Sequence, residues 1–595
     1  MKRMIRNFIV FTKDVWNVEK RYFLYVLCYM VGVGIFSYTL IRLPAIVLTM
    51  VEEQVIDYQS LLITFGTLLA SALVSAYCRV LYVPVGSKIR YYYLLRISEQ
   101  NITIPYEEYD KPEIQTNIWN VSRPVTSIDK LQAIYTNFAQ LSGNVVILVL
   151  SANILFRLSI WISSMIILWF LFYTSLSVRK ANKIDQSFQK AIHLYREEWY
   201  LNDIGVDVAY GKEIRVFQLQ NWLQAKMEIL YQRLNHVFKQ NETDRMIPNI
   251  LDDSYQWIRD SIIYSLLVLL FFQKRLTVAE FTSYSVLIAQ LNRALSASAV
   301  NLMQLLSSHE NYEKMIAYVS LPKQSDEGVA IDPHVPWTIA FEQVSFQYPG
   351  TDHYIYRDLN FTIHQGHKLA IVGLNGVGKT TLLKLLLRLY RPTSGRITLN
   401  GVAIQDYSLN AYFQLFAPVF QEINIFPFTI KENLTFGKEI ENATLMQALA
   451  QAGLDETVIE EAQLEQEYMT RYLHSHGRVL SGGQAQKFVT ARAIASARPI
   501  YIFDEPTSAL DAIAESAFYH QIETTMKDHT ILFVSHRLAS TQFCDEIILI
   551  EQERILEKGS HLDLLQEQGR YAELFQMQAK YYQTGEAYEK QMADL

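Results

Sequence analysis

The residues with the clearest chemical purpose lie past the middle of the 595-residue chain. The run Gly373-Leu-Asn375-Gly376-Val-Gly378-Lys379-Thr380-Thr381 follows the strand-like Lys368–Val372 and precedes Leu382–Leu389, whose pattern is helical. That order, strand then glycine-rich loop then helix, is the context of a P-loop. Its glycines let successive backbone N–H groups cup phosphates, and the helix N-terminus adds a favourable dipole. Lys379 would reach the β- and γ-phosphates, and the Thr380 hydroxyl would ligate magnesium. A second apolar run, Ile500-Tyr-Ile-Phe503, ends in Asp504-Glu505. Asp504 would help hold Mg²⁺, and Glu505 could polarise an attacking water as general base.

Leu480-Ser481-Gly482-Gly483-Gln484 resembles the signature motif of ATP-binding-cassette (ABC) proteins, and the surrounding motifs stand in that family's order. Tyr348 resembles the aromatic that stacks on adenine, and Gln421 in Val419-Phe-Gln421-Glu resembles the Q-loop glutamine. Ser508-Ala-Leu-Asp511 is similar to the D-loop, and His536 in Val534-Ser-His536-Arg to the switch histidine. The resemblance implies that ATP and Mg²⁺ are bound by Tyr348, Gly373, Asn375, Gly376, Gly378, Lys379, Thr380, Thr381, Gln421, Asp504 and Asp511. Thr380, Gln421 and Asp504 would be the magnesium neighbours, and Glu505, His536, Lys379 and Gln421 the catalytic set. It also implies that Ser481, Gly482, Gly483 and Gln484 face the γ-phosphate held by a second subunit. Each ATP would be sealed between two chains. Glu505, His536 and the signature are all intact in one chain, so a homodimer is expected. A heterodimer subunit is the alternative.

These residues need a scaffold, and composition divides the chain in two. Residues 1–320 carry 31 Lys and Arg against 26 Asp and Glu, whereas the remainder carries 22 against 34. Neither half has the basic excess that phosphate-backbone binding needs, so no nucleic-acid partner is expected. Cys28, Cys78 and Cys544 lie far apart, with no metal-ligand spacing and no disulfide framework. With half its residues hydrophobic and 19% charged, the chain is neither collagen-like nor disordered.

Six apolar stretches reach the ~20 residues that a helix needs to cross a bilayer. They lie at about 22–46, 59–83, 133–155, 159–178, 254–273 and 277–300. A basic, amphipathic start would lie in the interface with membrane lipid as an elbow before the first span. No cleavable signal peptide is expected. With the N-terminus inside, the inner segments hold most of the basic residues before 320. The outer turns keep only Arg42, Arg157, Lys274 and Arg275. Both termini and the nucleotide-binding half are thus expected in the cytoplasm, with the chain in a cell membrane of bacterial type. The fold class expected is multi-domain: an all-α six-helix transmembrane domain (1–320), a linker (321–336) and an α/β P-loop NTPase of ABC type (337–595). The whole resembles an ABC exporter half-transporter.

Two cytoplasmic turns, Pro105–Glu113 and Asp207–Phe217, are candidate coupling elements between the halves. Two departures from drug-type exporters, Gln484-Ala-Gln-Lys487 and Leu473-His-Ser-His-Gly477, are joined by Gly211-Lys-Glu-Ile-Arg-Val-Phe217. The first and last of these are similar to exporters of lantibiotics and other ribosomal peptides. The start of the chain suggests no N-terminal peptidase domain, so a peptide cargo would be matured elsewhere. Asp252, Asp253, Gln256, Arg259 and Asp260 on the fifth span and Gln290, Asn292 and Arg293 on the sixth either line a cavity or pair with one another. The expected function is ATP-driven export of a ribosomally made peptide or other amphipathic cargo. Multidrug or lipid export, and an ATP-gated channel or membrane sensor, stand as alternatives.

Overall fold

The computed structural model describes residues 2–126, 128–158, 193–332, 335–454, 458–507, 512–527 and 529–578, with isolated positions between 158 and 193. Two units emerge. The first comprises Met1–Thr103 and Pro112–Pro322, the second Ile104–Lys111 and Lys323–Leu595.

The first unit is helical. Among the described residues, four helical stretches are long and apolar enough to cross a membrane: Arg21–Glu52, Tyr58–Thr103, Ala133–Phe156 and Ser254–Phe272. The expected fourth segment, 159–178, lies outside the described residues. The sixth falls on the helix Val278–Val319, whose charged and amide side chains (Glu280, Gln290, Asn292, Arg293) keep it below that apolarity. Gln220–Phe272 runs for 53 residues, about 80 Å at 1.5 Å per residue, far more than the ~30 Å of a bilayer core.

Apolar side chains fill this unit where helices cross. Ile41, Leu155, Ile263, Leu267, Leu287, Ile288, Leu291 and Leu295 form one cluster. Nearer the chain's start, a second holds Val15, Tyr22, Val26, Tyr82, Ile89, Tyr93, Tyr135 and Tyr312. Asp14 is buried inside the latter and accepts hydrogen bonds from the hydroxyls of Tyr93 and Tyr312, the second at 2.9 Å. A buried carboxylate needs such donors, and these fasten the helix Lys2–Glu19 to two others. Removing one donor, in Tyr312→Phe, is expected to lower stability by about 1–2 kcal/mol, read as a lower midpoint in thermal unfolding of the detergent-purified chain.

The second unit carries two sheets. β1 (Thr338–Gln347), β2 (Tyr354–His364), β4 (Ser394–Leu399) and β5 (Val402–Ala403) form an antiparallel sheet in the order β2-β1-β4-β5. β3 (Lys368–Val372), β6 (Phe416–Val419), β7 (Ile500–Asp504), β8 (Thr530–Ser535), β9 (Glu546–Glu551) and β10 (Arg554–Gly559) form the other, ordered β10-β9-β3-β8-β7-β6. From β9 to β6 all pairings are parallel. β3, β7 and β8 are buried along their whole length, as strands covered on both faces must be. The stretch expected as a linker is stitched to this unit. Asp326 accepts from Ser408 Oγ and from Asn410, and Val329 N donates to the Asp406 carbonyl at 2.8 Å.

Candidate functional site

Four neighbouring parallel strands, β3-β8-β7-β6, release their chains at one edge of the sheet, where α/β proteins bind ligands. β3 leads into Gly373–Lys379, β8 into His536, β7 into Asp504 and Glu505, and β6 into Gln421. Residues far apart in sequence meet there because hydrogen-bonded strands must end side by side.

The glycine loop is shaped by close approach. A Cβ on Gly373 would lie 2.6 Å from the Ile550 carbonyl oxygen. One on Gly378, at φ +101°, would lie 2.4 Å from Ile355 Cγ2. Side chains cannot be fitted there, so the backbone runs against the sheet. Lys379 opens the helix Lys379–Leu386, and its ammonium donates to the carbonyls of Gly373 (3.0 Å) and Leu374 (3.2 Å). Burial lowers the proton affinity of Lys379, and Glu505 and Asp504 hold it up.

Thr380 Oγ1 donates to Asp504 Oδ2 at 3.1 Å. A hydroxyl, a carboxylate and the nearby Gln421 amide make a hard oxygen set that fits Mg²⁺. Burial pushes the Asp504 carboxyl up to about 6, the Thr380 hydrogen bond opposing it. The folded domain therefore keeps this proton to about pH 6, while the unfolded chain releases it near 3.8. Stability of the ligand-free domain should then fall as pH rises between those values, by up to about 3 kcal/mol. Asp504→Asn is expected to flatten that slope, as measured by thermal unfolding between pH 4 and 7 without nucleotide.

Glu505 is the most constrained side chain of the group. Its backbone sits at φ +49°, in the left-handed region, fixed by donation from its N–H to the Val534 carbonyl at 2.9 Å. Strain of this kind gathers at functional sites. Its carboxylate is held on both oxygens: His536 Nδ1 lies 3.0 Å from Oε1, and Gln421 Nε2 donates to Oε2 at 3.1 Å. His536 is steadied from behind by Gln578, which donates to the His536 carbonyl at 2.7 Å and accepts from Leu538 N at 2.8 Å. Nothing in the sequence pattern singled out Gln578, because its partners are backbone atoms.

Tyr348 Oη and Thr381 Oγ1 are 2.9 Å apart, joining the aromatic to the loop's helix. Its ring meets Tyr390 edge-on, centroids 5.3 Å apart, and Tyr390 meets Tyr106 at 5.8 Å. The Lys384 ammonium lies 5.6–5.9 Å from all three rings, and the Tyr390 hydroxyl donates to Asp110. Sequence reading missed Tyr390 and Lys384, which lie outside the motifs. Tyr390→Phe keeps the rings but frees Asp110. It is expected to leave ATP affinity within about twofold while reducing cargo stimulation of ATPase several-fold, read by titrating ATP with and without cargo.

The signature turn stands apart from this cluster. Ser481 caps the helix Gly482–Ala495 in a capping box with Gln484, donating and accepting at 3.0 and 3.3 Å. Ser481 and Gly482 are exposed, and Gly483 is half-buried. Among the described residues, no hydrogen bond or ion pair joins Ser481–Gln484 to Glu505, His536 or Lys379. Asp511 lies outside the described residues.

Residues 356–508 match the family model described as ABC transporter. The chain carries an ABC transporter domain. That domain follows a helical unit with membrane-length spans, the domain order of an ABC half-transporter fusion. The subtilin transport ATP-binding protein of Bacillus subtilis is 24% identical over 593 residues, covering 95% of this chain and 92% of that protein. An ATP-dependent lipid A-core flippase from Pasteurella multocida is 31% identical over 306 residues, and one from Pseudoalteromonas atlantica 35% over 273. The chain spans only 52% and 46% of those two flippases. Among solved structures, a bacterial Atm1-family ABC exporter with ATP bound superposes with a TM-score of 0.79 at 22% identity, covering 93% of this chain and 98% of that chain. At that identity the likeness concerns the fold.

Proposed function

We propose that this ABC transporter is an ATP-driven exporter acting as a homodimer, with a ribosomally made peptide as its cargo. The observation that carries the reading is the Glu505 carboxylate, held between His536 and Gln421 beside the glycine loop. A carboxylate so oriented is a general base for a water attacking the γ-phosphate. Gly373, Asn375, Gly376, Gly378, Lys379, Thr380 and Thr381 would cradle the phosphates, and Tyr348 would stack on the base. Magnesium, on Thr380, Asp504 and Gln421, would neutralise charge on the transferred phosphoryl group.

The second copy would complete each site with Ser481, Gly482, Gly483 and Gln484. The helix Gly482–Ala495 offers its N-terminus there, exposed in the single chain. The turn Asp207–Phe217 supports the same reading. Val208, Val216 and Phe217 are 88%, 76% and 70% exposed at its tip, an apolar end suited to docking. Pro105–Asp110, seated against Tyr390, would carry nucleotide state to the membrane helices. Both termini would be cytoplasmic, with the chain in a bacterial cell membrane.

Peptide cargo rests on the near full-length likeness to the subtilin transporter. A second reading, export of a lipid or glycolipid, is supported by the higher identity to lipid A-core flippases over about half their length. ATPase of the chain alone in proteoliposomes decides both points. The wild type should hydrolyse ATP and be stimulated by an amphipathic peptide, and Glu505→Gln should lose at least about 100-fold of the rate. A silent wild type would overturn the homodimer, and stimulation by lipid A but not by peptide would overturn the cargo.

A further inference from the structure

On the expected topology, Lys274 and Arg275 are the basic pair that departs from the inward bias of positive charge. The structure shows what surrounds them. A recess of about 550 Å³ is lined by Glu52, Phe271, Phe272, Lys274, Arg275, Leu276, Thr277, Val278 and Glu280. Its size falls within the ~300–1,000 Å³ typical of small-molecule sites.

The turn that carries the pair is rigid. The helix before it closes with Lys274 N donating to Phe271 O (2.9 Å) and Arg275 N to Leu270 O (3.1 Å), with Lys274 at φ +56°. The helix after it opens with a capping box. Thr277 N and Oγ1 donate to Glu280 Oε2 at 2.9 and 3.1 Å, and Glu280 N donates back to Thr277 Oγ1. Leu276 is buried in the apolar core, and Phe271 packs against Phe281 with centroids 5.6 Å apart.

Glu280 is therefore engaged at its own helix terminus, where the dipole offsets its charge. Lys274, Arg275 and Glu52 are different. None of the three makes a side-chain hydrogen bond or ion pair among the described residues. Opposite charges therefore line one recess without an ion pair between them. A ligand complementary to this lining would carry both a negative and a positive group, with apolar matter for Phe271, Phe272 and Val278. Phe272 is 76% exposed at the end of a membrane-length helix, where acyl chains would meet it.

We propose that this recess binds a phospholipid of the non-cytoplasmic leaflet whose headgroup carries both a phosphate and a primary amine. The phosphate lies on Lys274 and Arg275, the amine on Glu52, and the acyl chains run along Phe271 and Phe272. The proposal rests on the exporter topology above, but not on ATP hydrolysis or on the identity of the cargo.

The test is lipid retention by the full-length chain, nucleotide-free, in nanodiscs of equimolar phosphatidylethanolamine, phosphatidylglycerol and phosphatidylcholine, read by native mass spectrometry. Phosphatidylethanolamine should be retained at least fivefold over the other two. The double variant Lys274→Asn, Arg275→Gln, which tolerates the left-handed turn, should lose retained lipid of every class. Glu52→Gln should keep lipid but bring the phosphatidylethanolamine preference to about one. Thermal unfolding of each variant confirms that it is folded. Unchanged retention in the double variant overturns the site, and a preference for phosphatidylglycerol overturns the paired headgroup. Complete competition by inorganic phosphate at millimolar concentration would mark a simple anion site and overturn the lipid. Because no step uses ATP, failure here leaves the exporter reading standing, and a silent ATPase leaves this one standing.

Discussion

The parallel pairing of β3, β8, β7 and β6 is the constraint on which the nucleotide site depends. In a parallel sheet every strand finishes at the same edge, so whatever follows each strand is delivered to one place. Lys379, His536, Glu505 and Gln421 come from segments up to 157 positions apart, yet hydrogen bonds of about 3 Å link Glu505 to both His536 and Gln421. If β8 slipped by one residue, its side chains would change faces and His536 would point away from Glu505. The mostly apolar strands, buried on both faces, are what prevent this.

Much of this domain was legible in sequence because its chemistry is local. A glycine loop between a strand and a helix has one geometric meaning, and an acidic pair closing an apolar strand has nearly as narrow a one. The elements that escaped act through the backbone or through aromatic faces. Gln578 holds two main-chain atoms, and Tyr390 and Lys384 work by ring contact and charge. Such roles leave no pattern in spacing. The membrane half was legible by apolar length for the spans that begin at Arg21, Tyr58, Ala133 and Ser254. The helix Val278–Val319 was harder, since its polar positions dilute the apolar signal that marks a span.

The polar residues of the fifth and sixth segments illustrate how burial resolves a choice that sequence leaves open. Arg259 pairs with Asp260 at 2.8 Å, and Asn292 donates to the same carboxylate oxygen at 2.7 Å. Mutual pairing therefore accounts for these three: the ion pair lies within one helix, and the Asn292 hydrogen bond ties that helix to the next. The same economy appears at Asp14, where two tyrosine hydroxyls hold one carboxylate.

The hold of Gln578 on the histidine loop has a mechanical side. Its amide grips the backbone on both sides of Arg537, from a helical segment some 40 residues further along the chain. The placing of that segment on the sheet core, through Tyr571, Leu574 and Phe575, is thus coupled to the backbone that carries His536.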